Sequence, residues 1–347
     1  MDEQILFDGL HLNEHQKLLW IKNALIQKNP NLKVLKPKLA GMYSPLIELL
    51  GIEINNNLES GKLFLPNLQV WDNKSVAIFS DYSGESSGKY YTYSFLVCAM
   101  DALGYFRQKM SILRKDLAFG NKELAFKDLG MGSMQKILPE YLSLLDQYVP
   151  GLLLTVVIDK KLTSVIGHSR RDTLNEIAKI LEDAGFGKLK LLIAEKMVRI
   201  VSISALLVGL LGKSGQKIFW MTDHDAICEN NKHNNMLAFF QRAIGIYSNA
   251  NFPLIGGARP FEEKSTDYLD LLSAADLVAG SLAHYFTLRD TKGNEDIMVK
   301  DGVEKILYWL GGQGLSLQKL NIIITPGQNG IIHSGTIDIT QKLDPNL

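Results

Sequence analysis

The sequence predicts an α/β fold in which a mixed β-sheet is flanked by helices, and two observations support this prediction. Three apolar, β-rich runs are typical of buried strands: residues 76–80, 90–97 and 152–158. Three longer segments repeat apolar residues at helical spacing: residues 134–148, 170–184 and 268–286. Because turn residues separate the first two runs, we expect a hairpin there, with the third run in the same sheet and parallel to the first.

Composition is that of a globular protein with a sizeable core. The chain has 347 residues, of which 46% are hydrophobic. Lys plus Arg and Asp plus Glu both number 37, so the chain as a whole has no basic field for a polyanion, and any contact with nucleic acid must come from a local patch. Cys98 and Cys228 are too few for a disulfide framework and fit a reducing cytosol with buried free thiols.

The sequence predicts no membrane span and a cytoplasmic location. The first ten residues are acidic and lack a long apolar region, so no targeting segment is expected. The apolar run at residues 200–211 is much shorter than the ~20 residues that a spanning helix needs. Charged residues flank it, and we expect a buried helix.

Residues 1–72 read as a helical N-terminal extension. Apolar residues recur at helical spacing after Asn13, and a second short helix is predicted at residues 44–50. The polar segment 55–61 places the junction with the main domain before residue 73. Three roles stay open for this extension: a lid, a surface that binds a protein partner, or a structural addition.

The main domain is expected to span residues 73–290 and to hold further short elements. We predict strands at residues 123–127, 188–194 and 218–221, and a helix at residues 236–246. Residues 291–347 then read as an α/β C-terminal extension. It holds a helix near residues 303–309, a strand at residues 320–324 and a strand-like run at residues 336–340.

Acidic residues stand at parallel places in these elements. Asp81 ends the first predicted strand, Glu123 lies near the third and Asp159 ends the fourth. Asp276 lies beside the apolar stripe of the late helix at residues 268–286, where a carboxylate is costly to bury without a partner such as a metal ion. Asp223 is a lesser candidate, because the strand that it ends is expected to lie next to the strand that Asp159 ends.

Ordinary structural roles compete with this reading, and two other motifs are weak. Asp81 suits a solvated turn, and Asp276 suits a buried cap or salt bridge. Residues 209–214 (GLLGKS) lack the first glycine of a phosphate loop. His224 and His233, with the aspartates at 223 and 225, are separated by too much polar linker to favour a metal cluster.

The order of predicted elements resembles the ribonuclease H-like fold, in which three antiparallel strands continue into a mixed sheet flanked by helices. A closer resemblance is to a bacterial family of predicted ribonuclease H-like proteins, domain of unknown function 3800. Three segments carry it: Asp81-Tyr82-Ser83-Gly84, Glu123-Leu124-Ala125-Phe126-Lys127 and Ala275-Asp276-Leu277-Val278-Ala279. The resemblance covers about residues 75–286, and the apolar helix at about residues 196–213 reads as an insertion.

This resemblance implies a nuclease that cleaves phosphodiester bonds with two Mg²⁺ or Mn²⁺ ions. It assigns Asp81, Glu123, Asp159 and Asp276 as catalytic metal ligands, with Asp223 as a further ligand. Clustered carboxylate oxygens are what such hard cations prefer. The implied substrate is DNA or RNA, and families of this kind often occur near mobile elements or phage-defence genes.

The chain departs from the family pattern at Tyr82, where a glutamate is usual, and its lysine lies four residues after Glu123. Glu85 is a candidate replacement for that glutamate. The alternative function is a ribonuclease H-like module that binds nucleic acid or a partner without cutting. Balanced charge and Tyr82 favour the alternative, whereas the four acids at matching places favour the enzyme. For a third class, a phosphotransferase or small-molecule hydrolase, the sequence has no motif.

Overall fold

The computed structural model describes residues 14–35, 45–84, 88–162, 170–223, 227, 232–258, 266–293, 297–328 and 331–340. Several residues named above lie outside these ranges: Glu85, His224, Asp225 and Cys228. The side chain of His233 is likewise outside the described part.

Seven strands form one mixed sheet in these residues. They are β1 (Ser75–Ser83), β2 (Tyr90–Ala99), β3 (Gly151–Asp159), β4 (Lys217–Thr222), β5 (Ile255–Ala258), β6 (Leu317–Pro326) and β7 (Ile332–Thr336). Their order across the sheet is β5-β4-β1-β2-β3-β6-β7. Strands β1, β2 and β3 are consecutive antiparallel neighbours, β4 runs parallel to β1, and β6 runs parallel to β3. The predicted hairpin, and the shared direction of the first and third runs, are therefore confirmed.

Helices cover both faces of the sheet. They are α1 (Glu14–Leu25), α2 (Pro45–Glu59), α3 (Gly104–Asp116), α4 (Gly132–Tyr148), α5 (Arg170–Leu181), α6 (Leu191–Leu211), α7 (Lys232–Tyr247), α8 (Thr266–Lys292) and α9 (Asp301–Leu310). One apolar core lies between the sheet and helices α3, α4, α8 and α9, which we call the α8 face. The other lies between the sheet and helices α1, α2, α5, α6 and α7, which we call the α6 face. The architecture is thus α/β with three layers.

Strand alternation decides which side chains reach each face. In β1, Ala77 and Phe79 pack in the core of the α8 face, whereas Val76 and Ile78 pack on the α6 face. Successive side chains of a strand point to opposite faces. The alternation therefore sends Asp81 to the α8 face, toward the long helix α8.

Two predicted strands are wrong. Residues 123–125 form an extended loop that ends in a 3₁₀ turn, Phe126–Asp128, and they pair with no strand in the described structure. Residues 188–190 precede α6, and residues 191–194 are its first turn. Both segments are short apolar runs, for which local pattern does not separate strand from helix or buried loop. The run at residues 152–158 is consequently the third strand of the sheet and the run at residues 218–221 the fourth.

The apolar run at residues 200–211 belongs to α6, whose side chains are almost all buried from Ala194 onward. It is a core helix, as predicted. Among the described helices, only α8 is long and apolar enough by length and composition to cross a membrane, and 72% of its most apolar window is buried inside the fold.

Both terminal segments belong to the same body as the main sheet. Strands β6 and β7 extend it beyond β3, and the last strand is Ile332–Thr336 rather than the predicted run at residues 336–340. Helix α2 contacts β7 through a buried carboxylate: Glu53 accepts hydrogen bonds from Ser334 Oγ at 2.8 Å and Thr336 Oγ1 at 3.2 Å. The N-terminal helices thus pack on the same body as the C-terminal strands.

Candidate functional site

Asp81 and Asp223 lie side by side at one edge of the sheet. Strands β1 and β4 are parallel, with Ser80 opposite Thr222. The backbone amide of Asp223 donates a hydrogen bond to the carbonyl oxygen of Ser80 at 3.1 Å, so the parallel pairing continues one residue beyond β4. Asp81 is 8% exposed. The carboxyl ends of parallel strands meet at the same sheet edge. Asp81 lies near that edge beside Asp223, although β1 continues for two residues beyond Asp81 instead of ending there as predicted.

Helix α8 brings a third carboxylate to this edge. Asp276 packs over β1, close enough to Asp81 for its charge to raise the pKa of Asp81. Its Oδ2 also accepts the backbone amide of Phe126 at 2.7 Å. Helix α8 packs on both β1 and β2, and this packing fixes the position of Asp276 relative to Asp81.

A glycine makes room for the contact with Phe126. Gly280 lies one helical turn after Asp276, and a Cβ atom at that position would lie only 2.2 Å from Cγ of Phe126. Real Cβ atoms are never so close to a ring carbon. The absence of a side chain at Gly280 therefore lets the 3₁₀ turn approach α8 and place its amide on Asp276.

Glu123 stands on the loop that leads into this turn, and a buried arginine holds that loop. Arg114 donates from Nη1 to the carbonyl oxygens of Gly120 at 2.8 Å and Lys122 at 2.9 Å. The other side of its guanidinium makes a bidentate ion pair with Asp270 of α8. Arg114 thus ties the loop before Glu123 to the helix that carries Asp276.

Burial and mutual repulsion raise the pKa values of these acids. Burial raises the pKa of Asp81 well above its ordinary value, and the charges of Asp276 and Asp223 raise it further. Burial also raises the pKa of Asp276, although the hydrogen bonds from Phe126 and Asp81 oppose the shift. Both carboxyl groups therefore resist ionisation more than an exposed aspartate does.

Glu123 belongs to the same electrostatic cluster. Burial raises its pKa most, followed by the charges of Asp223 and Asp276. Lys127 lowers the pKa of both Glu123 and Asp276, which places a lysine ammonium near the acids, but it does not reverse either shift. Lys127, four residues after Glu123, thus approaches the acids from the 3₁₀ turn.

The cluster suits a hard divalent cation by its donor chemistry. It offers carboxylate oxygens only, and burial and neighbouring negative charges raise the pKa values of Asp81 and Asp276, a repulsion that a bound cation would relieve. Within the described ranges, no three His, Cys, Asp or Glu side chains are already gathered as one metal-binding group. The fold provides Asp81 and Asp276 near each other, with Asp223 and Glu123 in the same neighbourhood.

Asp159 lies apart from this cluster. Asp81 pairs with Ser94 of β2, and Ser94 pairs with Thr155 of β3. Asp159 therefore lies two strands away from Asp81 and four residues further along β3. At ~3.3 Å per residue and ~4.8 Å between strands, the two backbone positions are about 16 Å apart. Strand β4 adjoins β1 rather than β3, so the expectation that the strands ending at Asp223 and Asp159 are neighbours is wrong.

Tyr82 points away from the acids. Its hydroxyl hydrogen-bonds to Ser80 Oγ at 2.8 Å and to Thr222 Oγ1 at 3.0 Å. Its ring lies under Lys196 of α6, with the ammonium 5.0 Å from the ring centroid. The side chain of residue 82 lies on the α6 face. A glutamate at this position would therefore not join the cluster around Asp81, so the presence of tyrosine does not deprive that cluster of a carboxylate.

Sequence reasoning missed the residues that support the acids: Arg114, Asp270 and Gly280. No local motif marks Arg114, whose partners are two loop carbonyls and one distant helix. Gly280 carried a signal, because a glycine inside a helix is unfavourable by about 1 kcal/mol and calls for a packing reason.

Comparison with known proteins adds no assignment. No family model matches the chain, and no curated protein matches it. The likeness to the domain of unknown function 3800 family therefore rests on the three short motifs alone, and the function has to be argued from the site.

Proposed function

We propose that the protein is a divalent-metal-dependent nuclease of the ribonuclease H-like type. One observation carries the proposal: carboxylates from two adjacent parallel strands, a long helix and a loop come together near one edge of the sheet. These are Asp81, Asp223, Asp276 and Glu123. A soluble fold has no stabilising use for such a group, because each acid raises the pKa of its neighbours.

The arrangement of strands supports the same reading. Three consecutive antiparallel strands, β1 to β3, continue into a mixed sheet through β4, which pairs parallel to β1. Acids from the first strand, an element after the third, the fourth strand and the last helix are what the resemblance implies. Since the fourth strand is β4, Asp223 takes in this proposal the place expected for Asp159, and Asp159 is not among the proposed ligands.

In this proposal Asp81, Asp276, Asp223 and Glu123 would hold Mg²⁺ or Mn²⁺ through their carboxylate oxygens. Such ions supply an activated water and stabilise the leaving oxygen of a phosphodiester. The chain's own contribution is to fix carboxylate geometry: the Phe126 amide orients Asp276, and the Tyr82 amide orients Asp81 through a 2.6 Å hydrogen bond. Lys127 supplies positive charge beside the acids, where a substrate phosphate would lie.

The alternative function is a module of the same fold that binds nucleic acid or a protein without cutting. The lack of a ready-made three-ligand group in the described residues favours it, as does the zero net charge. The two functions differ in one measurable respect, because only the enzyme requires the carboxylates for turnover.

The test is to incubate the protein with single- and double-stranded DNA and RNA in Mn²⁺ or Mg²⁺, beside the Asp81→Asn and Asp276→Asn variants. The nuclease is expected to cleave at least one substrate, and each substitution is expected to lower the rate by about 100-fold or more, as for loss of a group acting on the transition state. Binding without cleavage by the wild type supports the alternative. Cleavage that persists in both folded variants removes the basis for the nuclease.

A further inference from the structure

The residues that precede Asp81 and Asp223 are joined to each other on the α6 face of the sheet. The hydroxyl of Tyr82 hydrogen-bonds to Ser80 Oγ at 2.8 Å, and Thr222 Oγ1 of β4 donates to it at 3.0 Å. Ser80 and Thr222 are paired across β1 and β4. One phenol oxygen therefore bridges the two strands at the positions immediately before the two aspartates.

Trp220 extends this network from β4. Its Nε1 donates to Ser80 Oγ at 2.9 Å, and the side chains of Ser80, Thr222 and Trp220 are buried. A buried polar network whose members are satisfied makes the surrounding structure rigid. We call the four side chains of Ser80, Tyr82, Trp220 and Thr222 the tyrosine bridge.

Packing fixes the ring of Tyr82 as well as its hydroxyl. The ring centroid lies 5.8 Å from that of Tyr93 and 6.1 Å from that of Phe95, both on β2, and the Lys196 ammonium lies 5.0 Å from it. These separations are typical of aromatic pairs and of cation–π contacts. A ring held from β2 and from α6 keeps its hydroxyl at one place between β1 and β4.

Repulsion between the two aspartates acts against the bridge. The charge of Asp223 raises the pKa of Asp81, so the two carboxylates repel each other when both are ionised. At this end of the strand pair, the amide of Asp223 also donates to the carbonyl oxygen of Ser80 at 3.1 Å. The bridge supports this backbone hydrogen bond from the face opposite to the acids.

We propose that Tyr82 is a positioning residue for the candidate metal site, because its hydroxyl holds the end of β4 against β1 and so keeps Asp223 beside Asp81. Its backbone amide also donates to Asp81 Oδ1 at 2.6 Å, so one residue orients a carboxylate and sets its distance from the next. The consequence for metal binding rests on the proposed function: the two carboxylates are held as neighbours before a cation binds. Partners of this kind change metal affinity by about 10–100-fold.

Hydrogen exchange of the full-length protein in EDTA tests the bridge without metal. Tyr82→Phe and Thr222→Val keep the side-chain shapes and remove one hydroxyl each. Both are expected to speed exchange of the Asp223 amide by about tenfold or more, because this end of the strand pair opens more easily. The amide of Lys217, which donates to Lys74 at 2.7 Å at the other end of the same pair, is expected to exchange as in the wild type.

Two further variants control for the loss of a hydroxyl. Thr222→Ser keeps the hydroxyl and is expected to retain the wild-type exchange rate at Asp223. Tyr93→Phe removes a buried hydroxyl that accepts a hydrogen bond from Arg199 Nη1 of α6 at 3.3 Å instead of bridging to β4. It is expected to leave exchange at Asp223 unchanged.

Manganese titration tests the consequence for the site. Tyr82→Phe is expected to weaken manganese binding by about tenfold or more, whereas Tyr93→Phe binds as the wild type does. At manganese concentrations below saturation, kcat for cleavage should fall in Tyr82→Phe while KM for the nucleic acid is unchanged, and excess manganese should restore kcat. A tyrosine that only stabilises the fold would give no such rescue.

Wild-type exchange at Asp223 in both Tyr82→Phe and Thr222→Val would overturn the inference, whether or not the protein binds metal. Equal acceleration at Asp223 and Lys217 would also overturn it, since it would mean a general loss of stability. Faster exchange at Asp223 with unchanged manganese affinity would refute the role in positioning. If the wild type neither binds manganese nor cleaves, faster exchange confined to Asp223 supports the bridge, and it is the proposed nuclease that fails.

Discussion

The backbone amide of Asp223 donates to the carbonyl oxygen of Ser80, and this one hydrogen bond sets Asp223 directly beside Asp81. The first prediction follows from that pairing. Asp223→Asn is expected to lower cleavage by about 10-fold or more, the size seen when a group supporting a metal site is removed. Asp159→Asn is the matched control and is expected to cleave at nearly the wild-type rate, because its backbone position is about 16 Å from Asp81 by strand spacing.

Rates should be measured in Mn²⁺ on whichever substrate the wild type cuts. The reverse result, with Asp159 essential and Asp223 dispensable, would contradict the assignment of β4 as the fourth strand of the site.

The second prediction concerns the metal-free protein and pH. The folded pKa values of Asp81, Asp276 and Glu123 all lie above their ordinary values. Groups of this kind favour the folded state at low pH, and that contribution is lost as pH rises through the folded pKa. The free energy of unfolding in EDTA is therefore expected to fall between about pH 4 and neutral pH because of this cluster.

Asp81→Asn removes one of the repelling charges, so it is expected to stabilise the metal-free protein at pH 7 by about 1 kcal/mol and to flatten the pH dependence. Denaturant unfolding across this pH range measures both effects. Asp301→Asn, at an exposed surface pair with Lys305, should change stability by less than about 0.5 kcal/mol. A cluster variant that is less stable than the wild type at neutral pH would argue against carboxylate repulsion.

The third prediction concerns Arg114. Arg114→Met leaves Asp270 buried without its partner and releases two loop carbonyls, so it is expected to lower the free energy of unfolding by about 3–5 kcal/mol. Arg114→Lys keeps the charge but loses the bidentate geometry. It is expected to remain folded and to cleave more slowly, since the loop before Glu123 loses its anchor.

Arg107→Met serves as the control for this change. Nε of Arg107 lies 3.5 Å from Oδ2 of Asp267 in a partly exposed ion pair. Loss of this pair is expected to lower the free energy of unfolding by about 1 kcal/mol or less. If Arg114→Lys showed full cleavage with full manganese affinity, the arginine would be structural only.

The fourth prediction concerns Gly280. Gly280→Ala is expected to push the Phe126 ring and its backbone amide away from Asp276, to cost about 1–3 kcal/mol of stability by overpacking, and to slow cleavage. Gly245→Ala on α7 meets no atom within 4 Å and is expected to be neutral or stabilising. Thermal unfolding and cleavage rates compare the two. Equal behaviour of the two alanine variants would mean that the Phe126 contact does not shape the site.

Local pattern predicted the central strands because residues 76–80, 90–97 and 152–158 are long, apolar and β-rich, and such runs have few alternatives. It failed at residues 123–127, where five residues suit a strand, a turn or a buried loop equally well. That error moved the count of strands by one, so the fourth strand was expected to end at Asp159, whereas the fourth strand of the structure is followed by Asp223. Strand order across a sheet is set by packing and crossovers over the whole chain, and no short window carries it.

The contacts of Arg114 and Gly280 were beyond local prediction for a related reason. Arg114 pairs with Asp270 and Gly280 meets Phe126, and each partner lies more than 100 residues away in sequence, so neither contact forms a local motif. The acids themselves were easier to find, because a carboxylate at a strand end or beside the apolar stripe of a helix is conspicuous without knowledge of its partners.

The hydrogen bonds from β7 to Glu53 have a consequence for biosynthesis. Ser334 is separated from Glu53 by 281 residues. At about 5–20 residues per second, a ribosome takes roughly 14–56 s to reach the serine after the glutamate has been made. Throughout that interval β7 is not available to cover the inner surface of α2. The nascent chain therefore exposes this surface to chaperones until β7 has been made.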